Sequence, residues 1–204
     1  MRRFRIASGI AILITSFLPV WAGTGITGSK HDFSAEAWND TGEICVVCHV
    51  PHNHGRDTGR VGLLWNHELS TATYELYSSP FMKATSEQPR GPSKRCLSCH
   101  DGTVGVDAFG GRGGVKHMTG AALVGTDLRM THPISVRWLH KGSPSSCENC
   151  HNMHGKDPRN IPFYNGYVEC SSCHEPHDGV PGNNPSMLRK TTELSALCFH
   201  CHDK

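Results

Sequence analysis

Every cysteine of this chain belongs to a copy of one short pattern, Cys-x-x-Cys-His. The chain has ten cysteines and the pattern occurs five times, so no cysteine is left over. In chain order the copies are motif 1 (Cys45, Cys48, His49), motif 2 (Cys96, Cys99, His100), motif 3 (Cys147, Cys150, His151), motif 4 (Cys170, Cys173, His174) and motif 5 (Cys198, Cys201, His202).

The motif contains the groups that the attachment of c-type haem requires. Two thiols form covalent bonds to the porphyrin edge, and the adjacent histidine supplies one axial ligand of the iron. Positions i, i+3 and i+4 can project to one side of a helical turn, so a single turn can hold both the ring edge and the iron. We therefore expect five haem c groups, haem 1 to haem 5, with the ten cysteines as attachment points and the five motif histidines as proximal iron ligands.

Three other uses of Cys-x-x-Cys compete with this interpretation: a thioredoxin-like redox pair, a zinc site and a disulfide framework. A redox pair or a zinc site has no need for histidine directly after the second cysteine. Histidine occupies 15 of 204 positions. Five successive pairs followed by histidine by chance therefore have a probability on the order of one in a million for the haem motif. Zinc is the best of the three alternatives, and a colourless protein sensitive to chelators would support it.

The first 22 residues have the features of a secretory signal peptide. Three arginines near the start precede an apolar run of 13 residues, 6–18, and small residues precede Gly23. The run is shorter than the roughly 20 residues that span a bilayer, so a membrane anchor is not expected. The sequence predicts a signal peptide at 1–22 and a haem domain at 23–204 that is exported to the periplasm, the cell surface or the extracellular space, with no membrane span in the mature chain.

The mature chain is short for the number of haems that it is predicted to carry. Residues 23–204 provide about 36 residues for each of five haems, and apolar residues make up only 37% of the sequence. The porphyrins must therefore supply much of the buried apolar surface. We expect a mostly irregular fold with short helices and loops wrapped around a chain of five stacked haems, and little or no sheet. Helices are predicted at the motifs, from Thr192 to His202, and from Leu63 to Tyr77, where the aromatic side chains are expected only to pack.

Charge excludes one class of partner. The formal charge of +2 includes the three arginines of the predicted signal peptide, so the mature polypeptide carries 17 basic and 18 acidic side chains. Two propionates on each of five haems bring the total to about −11, and an acidic protein of this kind is not expected to bind nucleic acid.

The spacing of the motifs groups the haems. The intervals between motifs are 46, 46, 18 and 23 residues in chain order. The two short intervals predict a compact cluster of haems 3, 4 and 5, whereas the long ones are rich in Gly, Ser, Thr and Pro and read as loops.

Histidine is abundant enough to provide a second axial ligand for every iron. Ten histidines remain after the five proximal ligands are subtracted, so the irons are expected to be six-coordinate and closed to substrate. Motifs 1, 3 and 4 are each followed by a histidine three residues after the proximal one, namely His52, His154 and His177. Such a residue lies on the same face of the turn as the proximal ligand, so it must serve a neighbouring haem.

Two further distal ligands are needed. The remaining candidates are His31, His54, His67, His117, His132, His140 and His200. Methionine could also ligate an iron and would raise that haem's potential, but the abundance of histidine argues against it.

Several segments of the mature chain resemble bacterial multihaem cytochromes c with doubled haem motifs. This group includes extracellular cytochromes of metal-reducing bacteria that polymerise into conducting filaments. The segments are 30–32 (KHD), 45–53 (CVVCHVPHN), 64–79 (LWNHELSTATYELYSS), 96–106 (CLSCHDGTVGV), 125–135 (GTDLRMTHPIS), 170–177 and 197–203. The resemblance implies bis-histidine haems in a stacked chain, with His31 and His132 as the two missing ligands. The family pattern has four motifs, so motif 3 is an addition, and His140 or His117 could replace His154 as a ligand.

These observations predict an electron-transfer protein and not an enzyme, because all five motifs keep their histidine and no open iron site is expected. Its partners would be other redox proteins. The resemblance further implies a homopolymeric filament in which His31, close to the mature amino terminus, completes a haem of the adjacent subunit. The alternatives are a monomeric periplasmic electron shuttle and a haem reductase.

Overall fold

The computed structural model of the chain describes residues 25–51, 64–82, 84–138, 161–178 and 186–202. The predicted signal peptide, motif 3, His52 and His154 lie outside these ranges. Within them, no helix combines the length and the apolar character that crossing a bilayer requires.

Regular secondary structure in the described ranges is short. There are two α-helices, α1 (Gly91–His100) and α2 (Cys170–Cys173), and two strands, β1 (Val136–Arg137) and β2 (Tyr167–Val168). The strands pair antiparallel with Val136 opposite Val168. Three single 3-10 turns complete the regular elements, at Gly120–Ala122, Glu193–Ser195 and Cys198–His200. How the chain wraps around haems stays a prediction.

Helix α1 carries motif 2 in its last turn, and its sequence explains both of its ends. Pro92 lies in the first turn, where a missing backbone N–H costs nothing. At the other end the Asp101 N–H donates to the Leu97 carbonyl at 2.8 Å. Gly102 follows with a φ of +77°, a left-handed conformation that glycine adopts without strain and that commonly ends a helix. The helix therefore stops directly after the proximal ligand.

Helix α2 is a single turn formed by motif 4, and it packs against α1. A capping box holds its start, in which the Glu169 N–H donates to Ser172 Oγ at 3.0 Å. The Cys170 N–H donates to Ser93 Oγ at 2.9 Å, and Ser93 is fully buried in α1. This contact brings motif 4 against motif 2, although about 70 residues separate them in the sequence.

The described part of the chain has a small apolar core beneath α1. Its central cluster consists of Tyr74, Leu97 and Leu128, each at most 4% exposed. Ala72, Leu76 and Ile134 pack around it half-buried. The residues of this cluster come from α1 and from two segments without regular secondary structure, so the core holds irregular chain against the helix of motif 2.

The prediction of a helix from Leu63 to Tyr77 is wrong for the described residues 64–77, which are extended. Their backbone donors bond to distant groups instead of to the preceding turn. The Ser70 N–H donates to Ser98 Oγ at 2.9 Å, the Tyr74 N–H to Gln88 Oε1 at 2.9 Å, and the Glu75 N–H to the Thr126 carbonyl at 3.0 Å. Tertiary hydrogen bonds to α1 and its surroundings therefore override the local helical pattern.

The predicted helix from Thr192 to His202 is also wrong as a continuous element. Two 3-10 turns occupy this segment, and Leu194 and Ser195 have positive φ values of 48° and 61°. A bulky residue with positive φ cannot continue a right-handed helix. The helical turn at motif 5 is therefore separate from the one before it.

Candidate haem sites

Each described motif forms one helical turn. Motif 2 lies in α1, and in motifs 1, 4 and 5 the N–H of the histidine donates to the carbonyl of the first cysteine at 2.8, 3.0 and 2.9 Å. This i to i+4 hydrogen bond places both cysteines and the histidine on successive positions of the same turn. The arrangement lets one short segment present two thiols and an imidazole together.

Disulfide bonds are absent among the described motifs. No disulfide joins any two of the eight cysteines of motifs 1, 2, 4 and 5. In the same part of the chain, no three His, Cys, Asp or Glu side chains come together as a metal-binding group. Structural zinc sites have four such ligands.

Cysteines of different motifs lie next to one another. The thiol of Cys96 in motif 2 hydrogen-bonds to Cys170 in motif 4, which together with burial raises the pKa of Cys96 well above its ordinary value. The same bond lowers the pKa of Cys170. The two attachment points are therefore in direct contact.

Other cysteines of different described motifs also lie close enough to shift one another's pKa. Burial raises the pKa of Cys99 in motif 2 to about 12, and the nearby Cys48 of motif 1 adds to the shift. Burial also raises the pKa of Cys173 in motif 4, with contributions from Cys170 and from Cys198 of motif 5. The described attachment points thus follow one another in the order of motifs 1, 2, 4 and 5.

Three of the described proximal histidines each face a second histidine at nearly the same separation. A bond from a metal to an imidazole nitrogen is about 2.0 Å and the nitrogen lies roughly 1.1 Å from the ring centre, so two imidazoles on opposite sides of one iron have centres about 6 Å apart. The ring-centre distances are 6.2 Å for His49 and His177, 6.1 Å for His100 and His31, and 6.2 Å for His202 and His132.

The second members of these pairs are the three predicted distal ligands within the described ranges. His177 follows motif 4 in sequence but lies beside His49 of motif 1. His31 lies half-buried beside His100 of the same chain. His132 lies beside His202. No second histidine is seen opposite His174 among the described residues, and the predicted His52 and His154 lie outside them.

Hydrogen bonds orient several of these imidazoles in the way that metal-bound histidines require. A ligating histidine donates its other ring N–H to a carbonyl or a carboxylate, which fixes its tautomer and its orientation. Nδ1 of His100 bonds to the Ala122 carbonyl at 2.7 Å, and Nδ1 of His174 bonds to the Ser186 carbonyl at 2.7 Å. Nδ1 of His132 bonds to the Pro133 carbonyl at 3.0 Å, and Nδ1 of His177 bonds to the Glu175 carboxylate at 2.9 Å. Each bond leaves Nε2 for an iron.

The surroundings of His31 favour the neutral imidazole that binds metals. Burial lowers its pKa and the adjacent His100 lowers it further, whereas a hydrogen bond to the Pro176 carbonyl opposes the shift. Neutral imidazole is the form that binds a metal. His31 is therefore held in a state that can ligate.

Two other candidates differ from the paired histidines. His67 is buried, and each of its ring nitrogens lies within hydrogen-bonding distance of a backbone carbonyl oxygen, Nδ1 of that of Glu68 at 2.7 Å and Nε2 of that of Gly105 at 3.0 Å. A neutral imidazole can donate to one of these two oxygens. His117 is exposed and bonds through Nδ1 to the Gly102 carbonyl at 3.0 Å, and it forms no ring pair in the described chain. His54, His140 and the side chain of His200 lie outside the description.

Residues around the histidine pairs fit a porphyrin. Four apolar side chains near the histidine pairs are 42 to 49% exposed, namely Leu64, Leu123, Val124 and Phe199. Phe199 lies within motif 5, and Leu64 precedes Trp65, whose ring contacts His49. Leu123 and Val124 follow Ala122, whose carbonyl bonds to His100. These are the apolar side chains that a haem face would cover. The Trp65 ring stands edge-on to His49 at 5.7 Å, and its buried Nε1 has no hydrogen-bond partner in the described chain. A haem propionate is an acceptor that would satisfy such a donor.

One polar cluster beside motif 2 was missed by the sequence reasoning. Asp101 directly follows His100, and the hydroxyl of Tyr74 donates to its carboxylate at 2.6 Å. Burial raises the pKa of Asp101, but hydrogen bonds from Ser70, Tyr74 and Thr103 outweigh it and bring the pKa below its ordinary value. The position of an acidic residue directly after the motif was the available signal.

Comparison with known proteins identifies one match. The family model described as the doubled CXXCH motif matches residues 160–204. This range contains motifs 4 and 5 and His177. No curated protein matches the chain. The matched segment carries the haem-binding motif of c-type cytochromes, in which Cys-x-x-Cys-His binds haem c covalently.

Proposed function

Starting from covalent haem c binding, we propose that this chain is an exported pentahaem cytochrome that passes electrons along closely packed bis-histidine haems to other redox proteins. All five motifs have the same two thiols and histidine, and residues 160–204 match the doubled motif. Covalent haems with closed iron sites are suited to electron transfer. The proposal includes no bond-making catalysis.

Three pairs of histidines are the main support for this proposal. Ring centres 6.1 to 6.2 Å apart support bis-histidine ligation of haem 1 by His49 and His177, of haem 2 by His100 and His31, and of haem 5 by His202 and His132. An iron with two imidazole ligands has no open position for a substrate. This argues for electron transfer over the alternative of a haem reductase.

Neighbouring attachment points support a continuous path between haems. The contact between Cys96 and Cys170 and the proximity of Cys48 to Cys99 and of Cys173 to Cys198 favour the order of haems 1, 2, 4 and 5. We keep His52 and His154 as the proposed ligands of the remaining irons.

We further propose that the protein forms a homopolymeric filament, because it resembles cytochromes that polymerise. The pairing of His31 with His100 favours a ligand within the chain, so we propose that the homopolymer does not depend on a bridge through His31. The competing function is a monomeric electron shuttle. The two are distinguished by electron microscopy of native material.

The first prediction concerns the number of haems. Protein made in a host competent in cytochrome maturation should retain five haems per chain by the pyridine haemochrome assay and by intact mass. Replacing Cys147 and Cys150 with alanine should reduce the count to four, because motif 3 loses its attachment points. A count that is unchanged by this double substitution, or a colourless chelator-sensitive protein, would contradict the proposal.

The second prediction concerns His31. The H31A variant should convert haem 2 to the high-spin ferric state at every protein concentration, because a ligand within the chain is lost. Electron paramagnetic resonance measures the spin state and electron microscopy the polymer. The V115A variant is the control and should remain low-spin, because Val115 is 82% exposed and its side chain cannot ligate iron. Wild-type protein in which haem 2 is high-spin in isolated monomers and low-spin in polymers would instead establish a bridge between subunits.

A further inference from the structure

A buried carboxylate lies directly beside the haem 2 site. Asp101 follows the proximal ligand His100 and is 5% exposed. One carboxylate oxygen accepts the Tyr74 hydroxyl at 2.6 Å, and the other accepts the N–H and the hydroxyl of Thr103 at 2.7 and 2.8 Å. These donors are neutral, so they disperse the negative charge of the carboxylate without cancelling it.

The surrounding hydrogen bonds hold this carboxylate in place. Ser70 is fully buried, and its N–H donates to Ser98 Oγ in α1 at 2.9 Å. The Ser70 hydroxyl lies 3.0 Å from the Thr103 hydroxyl. Tyr74 is 4% exposed and its N–H is held by Gln88 at 2.9 Å. The side chain of Asp101 therefore cannot turn out into water without breaking this buried network.

We propose that the Asp101 carboxylate lowers the midpoint potential of haem 2, and that Tyr74 moderates this effect through its hydrogen bond. The inference rests on the proposed function, because it requires a haem at motif 2. Asp101 acts on the iron through its field and does not ligate it, so it is a tuning residue.

The direction of the effect follows from electrostatics. When ferric haem 2 accepts one electron from a neighbouring haem, the positive charge at its iron decreases by one. A nearby negative charge stabilises the ferric state more than the ferrous state and therefore disfavours this step. Burial strengthens the interaction, because the effective dielectric constant inside a protein is far below that of water.

The position of haem 2 gives this charge a consequence for transfer. In the proposed order haem 2 lies next to haem 1 and haem 4, so electrons that follow this order pass through it. A lowered potential makes the transfer of an electron onto haem 2 less favourable than it would be without the Asp101 charge. The Asp101 carboxylate would therefore influence the rate of transfer along the chain without influencing either end of it.

The test compares two variants with opposite expected effects. The D101N variant removes the charge and nearly conserves the shape, so the potential of haem 2 should move upward while the other four stay in place. The Y74F variant removes one donor and keeps the charge, so the same potential should move downward. The D40N variant is the control: its carboxylate is 68% exposed and paired with Arg112, and its loss should move no potential. Spectroelectrochemical titration of the full-length holoprotein measures all five potentials.

A second background assigns the shift to haem 2. In a chain whose Cys96 and Cys99 are replaced by alanine, haem 2 is absent and the D101N substitution should move none of the four remaining potentials. Counting covalent haems in each variant distinguishes a failure of haem attachment from a failure of the role of Asp101. Protein without covalent haem would overturn the proposed function, whereas five haems with no shift in the D101N variant would overturn only the role of Asp101.

Two further results of this experiment would decide the role of Asp101. Shifts in the same direction for the D101N and Y74F variants would indicate a general loosening around haem 2 and would overturn the electrostatic role. If the D101N variant fails to fold, the Y74F variant alone decides, with a downward shift supporting the proposal and an upward shift or no shift contradicting it.

Discussion

When the chain is produced without attached haem, we expect it to show no cooperative unfolding transition. Replacing all ten cysteines with alanine, or expressing the chain in a host without cytochrome maturation, prevents covalent attachment. The helices of the described chain are at most ten residues long, and it buries nine apolar side chains, of which three form its central cluster. Such a core cannot offset the conformational entropy of ordering long irregular segments.

Differential scanning calorimetry and near-ultraviolet circular dichroism measure this effect. The holoprotein should give one or more sharp heat-capacity peaks and a structured near-ultraviolet spectrum, and the haem-free chain should give neither. The apolar side chains beside the histidine pairs, such as Leu123 and Val124, would then remain in water instead of covering porphyrin. A haem-free chain that melts cooperatively would show that the polypeptide supplies its own core.

The H177A variant is expected to open the iron of haem 1. With His177 removed, the iron held by His49 would lose its second imidazole and should become five-coordinate. About one fifth of the ferric haem should change from low-spin to high-spin, and the ferrous form should bind carbon monoxide at that one site. The side chain of His177 is 61% exposed, so its loss should leave the surrounding structure intact.

Electron paramagnetic resonance of the oxidised protein quantifies the high-spin fraction. The V115A variant is again the control, because the exposed Val115 side chain cannot ligate iron. The location of the change also matters, since His177 follows motif 4 in sequence. A new high-spin signal from haem 4 instead of haem 1, or no high-spin signal at all, would contradict the pairing of His49 with His177.

Local geometry at the motifs could be predicted from the sequence, because it depends on residues within five positions of one another. The hydrogen bond from the His49 N–H to the Cys45 carbonyl, and its equivalents in motifs 4 and 5, follow from one helical turn. The motif also predicts which histidines are the proximal ligands. The resemblance, together with the doubled motif, selected His31, His132 and His177 as distal ligands, and these are the residues that lie beside proximal histidines.

The assignment of each distal histidine to a motif could not be predicted. His132 and His202 are 70 residues apart, and no local pattern connects them. The helix predicted over 63–77 failed for the same reason, because its periodic apolar residues are compatible with a helix and only distant partners such as Ser98 and Thr126 decide against it. The contact of Tyr74 with Asp101, 27 residues away, likewise exists only in the folded chain.

The central claim is that two histidines of the same chain close the iron of each haem for which a pair is described. An experimental structure of the purified holoprotein at atomic resolution tests this directly. It should contain iron between His49 and His177, between His100 and His31, and between His202 and His132, with each proximal histidine following two thioether-bonded cysteines. An iron at any of these motifs that has an open sixth position, or that is ligated by a histidine of another subunit, would contradict the account.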